Sequence, residues 1–150
     1  ASNLGSGTVP AARLSGVGKV LQVITATDST ARSTTNTGFV TASNTLSVTI
    51  TPASTSNKIF VMATATGEKG VAGVAYYTIW RDSTELGTTQ GFTGIQSTGV
   101  QLPLAMSTLD SPSSTSAIVY QVYLRSNDGS TAYLGNGTYE STITCMEIGA

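Results

Sequence analysis

The stretch GVAYYTIWRD, residues 73–82, decides the fold that this sequence predicts. Read with the two-residue period of a β-strand, its two faces carry Val74, Tyr76, Thr78 and Trp80 on one side and Ala75, Tyr77, Ile79 and Arg81 on the other. Both faces are largely apolar or aromatic, so neither is typical of a solvent-exposed surface. The stretch also holds the one Trp of the chain, a residue type that buries a large area. We therefore expect a central strand of a β-sandwich, with one face on the core and the other under a further covering layer.

Strand patterns recur at short intervals from Lys19 onward. Residues 44–51 alternate apolar and Thr or Ser side chains, which predicts a half-buried strand, and residues 58–66 (KIFVMATAT) are apolar on both faces. Pro103 indicates an edge strand or a bulge, and Asn127-Asp128-Gly129 predicts a hairpin turn because Asp-Gly supplies the positive φ of such turns. About nine strands at roughly ten-residue spacing predict an all-β, antiparallel, jelly-roll-like β-sandwich over residues 19–150.

Residues 1–18 differ from the rest of the chain in composition. They are rich in Gly, Ala and Ser and show no apolar periodicity. We expect an extended arm that lies on a neighbouring subunit, and a disordered tail is the alternative. This divides the chain into an arm, residues 1–18, and a sandwich domain, residues 19–150.

The charge and the titratable residues exclude several classes of function. A formal net charge of −1 with only 7 Lys and Arg provides no basic patch for nucleic acid, and no apolar run is long enough for membrane insertion. The absence of His removes Ser-His-Asp catalysis, and with a single Cys145 it excludes the usual zinc sites, so no metal and no cofactor are expected. Cys145 alternates with Ile143 and is expected to be a buried, unreactive thiol.

The carboxylates offer little for catalysis. Asp82 and Glu85 form the nearest pair suited to glycoside hydrolysis, yet they belong to a polar turn at a predicted hairpin tip. Asp128 lies in the predicted turn and lacks the alternating acidic ligands of a calcium loop. Asn136-Gly137-Thr138 matches a glycosylation acceptor, although Asn-Gly is equally typical of a turn. We expect a protein that is not an enzyme.

Low charge and two-sided strands predict an oligomer. Charged residues make up 10% of the chain, and the strands at 58–66 and 73–82 each leave an apolar face that a two-layer sandwich cannot cover. We expect a closed ring of identical copies, a homotrimer. The predicted interface residues are Phe60, Met62, Tyr77, Ile79, Val9 and Leu14.

The predicted loops supply candidates for contact with a receptor. Phe92 and Ile95 lie in the Gly-rich stretch 91–99, where Phe92 either anchors a ligand or plugs the end of the sandwich. Asn127, Asp128 and Asn136 lie at the predicted turns.

Several segments resemble proteins of bacteriophage particles. LGSGTVPAARL, residues 4–14, resembles repeats in the shafts of phage tail fibres. The body of the chain is similar to small bacteriophage virion surface proteins in the segments GKVLQV (18–23), SVTITP (47–52), STSNKI (54–59), WRDSTELG (80–87), LDSP (109–112) and ITCMEI (143–148).

The resemblance implies a trimeric, cofactor-free structural module on the virion surface. Its partners would be copies of itself, other virion proteins and a host surface glycan or protein. Two positions fit: the head of a tail fibre, which contacts the host, and a capsid decoration protein, which cements the shell. A secreted carbohydrate-binding or adhesin module is a further alternative, and it would expose aromatic residues such as Phe92, Tyr133 or Tyr139.

Overall fold

A computed structural model describes residues 19–150, and the predicted arm with Val9 and Leu14 lies outside them. The described chain is an all-β sandwich of two antiparallel sheets, which confirms the predicted fold class. Sheet A has six strands: β1 Val20–Asp28, β2 Arg32–Thr34, β4 Lys58–Lys69, β8 Leu102–Asp110, β10 Ala132–Leu134 and β11 Ser141–Ile148. Sheet B has five: β3 Ser47–Ile50, β5 Ala75–Arg81, β6 Thr84–Glu85, β7 Thr93–Ile95 and β9 Ile118–Ser126.

Each sheet is organised around one long strand. In sheet A, β4 pairs with β8 along one edge and with β11 and then β10 along the other, while β1 flanks β11. In sheet B, β5 pairs with β9 on one side and with β7 and β6 on the other, while β3 flanks β9. The sequence therefore identified β5 correctly as a central strand.

The strand count is higher than predicted because short strands extend the long ones. Four strands have only two or three residues each: β2, β6, β7 and β10. In sheet A, β10 pairs with β4 and β2 pairs with β10, and in sheet B both β6 and β7 pair with β5. The segment around Val40 forms only an isolated bridge to Leu124. Pro103 lies in β8, which is an edge strand of sheet A as its sequence predicted.

The core lies between the two sheets. Its largest members include Tyr77, Tyr120, Leu46, Ile59 and Ile143, all at most 1% exposed. Tyr77 crosses to sheet A, where its hydroxyl donates to the carbonyl of Tyr133 and its ring lies against Gly67 of β4. A Cβ at Gly67 would lie 2.7 Å from the Tyr77 ring, so glycine is needed there. Cys145 is fully buried, as predicted, and burial raises the pKa of its thiol to about 12.

The predicted hairpin at Asn127-Asp128-Gly129 is wrong. Gly129 has the expected positive φ of 83°, but the turn carries the chain from β9 in sheet B to β10 in sheet A. Asp128 explains why the chain crosses to sheet A. Its carboxylate accepts a hydrogen bond of 2.9 Å from Nζ of Lys69, the last residue of β4. The Lys69 side chain is fully buried, and a buried ammonium requires such a partner. The turn is therefore fixed by an ion pair between the sheets.

Candidate assembly surface

The outer face of sheet A carries exposed apolar and hydroxyl side chains across four strands. In β4, Ile59, Val61 and Ala63 are buried, whereas Phe60 is half-buried and Met62 is 38% exposed. The even-numbered residues of β4 therefore point away from the core. Strand register carries this outer face across β1, β11 and β8.

An apolar row crosses this face from edge to edge. The register aligns Val23 with Met146, Met146 with Phe60, and Phe60 with Leu109. The two ends are the most exposed, with Val23 at 55% and Leu109 at 52%. Directly opposite residues on one face of a sheet lie close enough to pack together. The row is thus one continuous apolar band, which we call the apolar row.

Threonine rows lie beside the apolar row. The next row consists of Thr25, Thr144, Met62 and Ser107, in which the hydroxyls of Thr25 and Thr144 lie 2.9 Å apart. In the row after that, the hydroxyls of Thr64 and Thr142 also lie 2.9 Å apart. The hydroxyls of each pair satisfy one another, and the residues in the middle of the face carry no charge. Lys58 lies at one end of β4.

The structure separates the predicted interface residues into two groups. Phe60 and Met62 lie on the outer face of sheet A, where they are available to a partner. Tyr77 and Ile79 are 0% exposed in the core between the sheets, so they have no surface to offer, and their assignment to an interface is corrected. The physical reason is that the Ala75, Tyr77, Ile79 side of β5 faces sheet A.

The second face of β5 is covered by the chain itself. On this outer side of sheet B, Trp80 stacks on Tyr123 with ring centroids 4.8 Å apart. Arg125 lies 5.1 Å from the ring centroid of Phe39 and 4.4 Å from that of Tyr76, and its guanidinium donates to the carbonyls of Thr37 and Thr89. The apolar second face of β5 is thus partly covered by the same chain, which leaves Tyr76, Trp80 and Tyr123 half-buried.

The predicted receptor-contact residues are dispersed. Ile95 is 6% exposed and belongs to the core, so its assignment to a contact loop is corrected. Phe92 is partly buried and packs against the core. Asn127 accepts a bond from the backbone N–H of Val74 at 2.8 Å, and Asn136 accepts bonds from the N–H groups of Thr138 and Tyr139. Both amides are therefore engaged in holding loops.

Three further carboxylates, those of Asp110, Glu147 and Asp28, hold the edges of the sandwich, and no sequence pattern indicated their partners. Asp110 accepts two bonds of 2.9 Å from Arg81 and one of 2.6 Å from the Tyr120 hydroxyl, and burial above all raises the pKa of that phenol. Glu147 is 1% exposed and accepts bonds from Asn57, Gln22 and the N–H of Ala53. Burial opposes ionisation of Glu147, but these donors lower its pKa.

Asp28 closes the edge of sheet A at the end of β1. Its carboxylate accepts bonds from the N–H groups of Thr30 and Thr45 and from Arg32. Burial opposes ionisation, yet these donors together lower the pKa of Asp28 to about 2.

Neither a metal site nor a membrane-spanning helix is found in the described part of the chain. Residues 19–150 contain no group of three or more Cys, Asp or Glu side chains placed to hold a metal ion. The same residues contain no helix with the length and apolar character that a bilayer crossing requires. Asp82, one of the two carboxylates in the predicted turn, accepts a bond from the N–H of Val119 and holds the turn after β5.

Comparisons with known proteins give a likeness to solved structures alone. No family model and no curated protein matches the chain. Among solved structures, the chain is similar to the VP2 subviral particle of infectious bursal disease virus, with a TM-score of 0.42 and 14% identity. The similarity covers 86% of this chain and 37% of that one. At this TM-score the likeness carries no argument, and the proposals below depend on the residues of this chain.

Proposed function

We propose that this chain is a non-enzymatic structural subunit of a bacteriophage particle surface that associates with copies of itself as a homotrimer. The observation that supports the proposal most is the apolar row on the outer face of sheet A. An exposed, uncharged band of this kind is typical of an interface between proteins. The resemblance of the sequence segments to phage virion surface proteins supplies the setting.

The composition agrees with assembly through this face. Charged residues make up 10% of the chain, and the middle of the outer face of sheet A contains none. The core of a protein interface is depleted in charge and enriched in Met and aromatic residues, and Met62, Met146 and Phe60 provide these types. A stable interface buries about 800 Å² on each partner, which requires the threonine rows as well as the apolar row.

Two positions on a particle fit the proposal. The head of a tail fibre, in contact with the host, is favoured by the shaft-like sequence at residues 4–14. A capsid decoration protein is the alternative, in which residues 1–18 would reach a neighbouring subunit. Labelling of this chain in imaged particles distinguishes the two, because a tail fibre places the label at the tail and a decoration protein places it over the shell.

The carbohydrate-binding alternative has less support from the aromatic residues. Trp80 and Tyr123 stack on each other, and Arg125 caps the rings of Phe39 and Tyr76. Sugar recognition by aromatic stacking requires an open ring face. Tyr139, at 61% exposure, is the aromatic residue within 19–150 that is most available. A glycan array with the wild-type chain and with Tyr139→Ala tests this alternative, which predicts signals that the substitution removes.

Sedimentation equilibrium tests the proposed self-association. We expect the wild-type chain to sediment as a trimer or a multiple of a trimer at micromolar concentration, and Met62→Lys to lose the trimer, because the substitution places a charge in the uncharged face. Thr49→Lys, at an exposed position of β3 on sheet B, is the matched control and should remain a trimer. A wild-type monomer under these conditions would refute the proposal.

A further inference from the structure

The strand β8 is an open edge of sheet A. Among residues 19–150 it pairs with β4 and with no other strand. It has nine residues, LPLAMSTLD, and carries no charge until Asp110 at its end. Natural proteins protect long edge strands with Lys, Pro, bulges or a covering segment, because unpaired backbone groups invite another strand. Beyond Pro103, β8 has none of these protective features in its sequence.

Backbone hydrogen bonds show which residues of β8 face the open edge. The N–H of Gly135 donates to the carbonyl of Thr66 at 2.8 Å, so Thr66 directs its backbone groups toward β10. Backbone groups alternate sides along a strand, and the N–H of Lys69 accordingly bonds Ser97 on the β8 side. The odd-numbered residues of β4 therefore pair with β8.

The register between β4 and β8 predicts which residues of β8 bond to β4 and which face outward. Val61 is aligned with Thr108, Ala63 with Met106 and Ala65 with Leu104, so the even-numbered residues of β8 bond to β4. Pro103, Ala105, Ser107 and Leu109 then direct their backbone groups outward. Pro103 is an independent check, because proline within a sheet is tolerated where its missing N–H would face outward.

The opposite edge of sheet A is better protected. The pairing of β1 with β11 is interrupted by a register shift between Val20 and Gln22, which is typical of a bulge. The carbonyl of Thr27, which faces the edge, already accepts a bond of 3.0 Å from the Thr45 hydroxyl. The long unprotected edge of sheet A is therefore β8.

We propose that two copies of this chain pair through β8, antiparallel and about a two-fold axis at Ser107, to form one continuous sheet. The outward-facing residues are self-complementary in this arrangement, since Ala105 lies opposite the partner subunit's Leu109 and Ser107 lies opposite the partner subunit's Ser107. The strand also brings no like charges together. An isologous contact of this kind closes on itself and covers the β8 edge of both copies.

This edge contact rests on the proposed self-association, and it uses a different surface of the chain. The outer face of sheet A would serve the trimer, whereas the β8 edge would join one trimer to another. Leu109 ends the apolar row, so edge pairing would carry that row onto the partner copy. A two-fold contact added to a three-fold one builds a larger closed assembly or a continuous layer.

Cysteine cross-linking tests the pairing. Residues directly opposite in an antiparallel sheet have Cα atoms about 5.5 Å apart, which suits a disulfide. We expect Ser107→Cys to give covalent dimers as the main species under mild oxidation, because each copy meets the same residue of the other. Thr49→Cys is the matched control, since it is exposed on β3 of sheet B, away from both proposed contacts, and should remain mostly monomeric on a non-reducing gel. Native Cys145 is buried and should not contribute.

A proline variant gives a second measurement. Ser107→Pro removes an outward N–H and leaves the ladder to β4 intact, so it should abolish the species larger than the trimer while the chain stays folded by circular dichroism. Equal cross-linking of the Thr49→Cys control, or no dimer from Ser107→Cys, would overturn the edge pairing. So would cross-linking confined to a Thr25→Cys/Ser107→Cys double variant, which would place β1 opposite β8.

The outcomes of the two proposals are distinguishable. Failure of the edge pairing with a persistent trimer that Met62→Lys dissociates leaves the proposed function in place. A wild-type dimer that Met62→Lys leaves intact, and that Ser107→Cys cross-links, would refute the trimer and retain the edge contact.

Discussion

The outer faces of the two sheets have the same kind of sequence but differ in how far the rest of the chain covers them. β4 and β5 both carry apolar residues on two sides, which is unusual for strands of a two-layer sandwich. In sheet B the second side is partly covered by the chain itself, through the stacking of Trp80 on Tyr123 and the capping of Tyr76 by Arg125. In sheet A the second side remains open within the described residues, with Met62 at 38% exposure and Leu109 at 52%.

The contrast teaches that an apolar second face is not by itself a sign of assembly. What decides is whether the loops of the same chain reach that face. The segment around Phe39 and the segment after β6 extend over sheet B, and Arg125 joins both to the sheet. No such segment among residues 19–150 covers the apolar row of sheet A.

The largest expected effect comes from the core side of β5. Tyr77→Ala should lower the free energy of unfolding by about 3–5 kcal/mol, because it leaves a cavity between the sheets. Urea unfolding should show this loss at every protein concentration, whereas a subunit-interface residue would give a loss that depends on concentration. Tyr77→Phe, which removes only the bond to the Tyr133 carbonyl, is the control and should cost about 1 kcal/mol.

The next effect concerns the closed edge of sheet A at Asp28. Its folded pKa is about 2 against an ordinary 3.8, so ionised Asp28 contributes about 2 kcal/mol of stability above pH 3.8. Because the folded pKa is the lower one, this stability is lost as the pH falls from 3.8 through 2. Asp28→Asn should therefore be less stable than wild type at pH 7, and most of this difference should be gone near pH 2.

Unfolding by urea at both pH values measures the Asp28 effect. The exposed Glu140→Gln serves as the control and should track the wild type throughout. A constant difference between Asp28→Asn and wild type across this pH range would contradict the assignment to the ionised carboxylate.

A smaller effect is expected from uncovering sheet B. Arg125→Ala removes the cation from between Phe39 and Tyr76 and should cost about 1 kcal/mol. It should also expose the aromatic rings, which an increase in binding of an apolar dye would report. Arg125→Lys keeps the charge but loses the planar group, so it should lie between wild type and Arg125→Ala. No change in either variant would show that the covering of sheet B does not depend on Arg125.

The smallest effect on folding is expected at the open face of sheet A. Thr64→Val replaces one hydroxyl of an exposed pair by a methyl group and should change the free energy of unfolding by less than about 0.5 kcal/mol. It also adds apolar surface to the proposed interface, so sedimentation should show tighter association. Weaker association in Thr64→Val would argue against burial of this face between copies.

The sequence by itself determined the class of fold and several local features. Alternating apolar residues with many Thr and Ser produced an antiparallel all-β sandwich, Pro103 marked an edge strand, and the setting of Cys145 predicted its burial. These features depend on the period of the strand and on backbone chemistry, which are local.

The tertiary structure alone decided which face of each strand is inside and where the polar residues find partners. The sequence could not tell that the Tyr77 side of β5 faces the core, because both sides of that strand are apolar. Nor could it tell that Asp128 joins two sheets through Lys69, because the two residues meet only after the sheets pack. A local turn signal fixes the positive φ at Gly129, whereas the destination of the chain depends on a buried charge far away in the sequence.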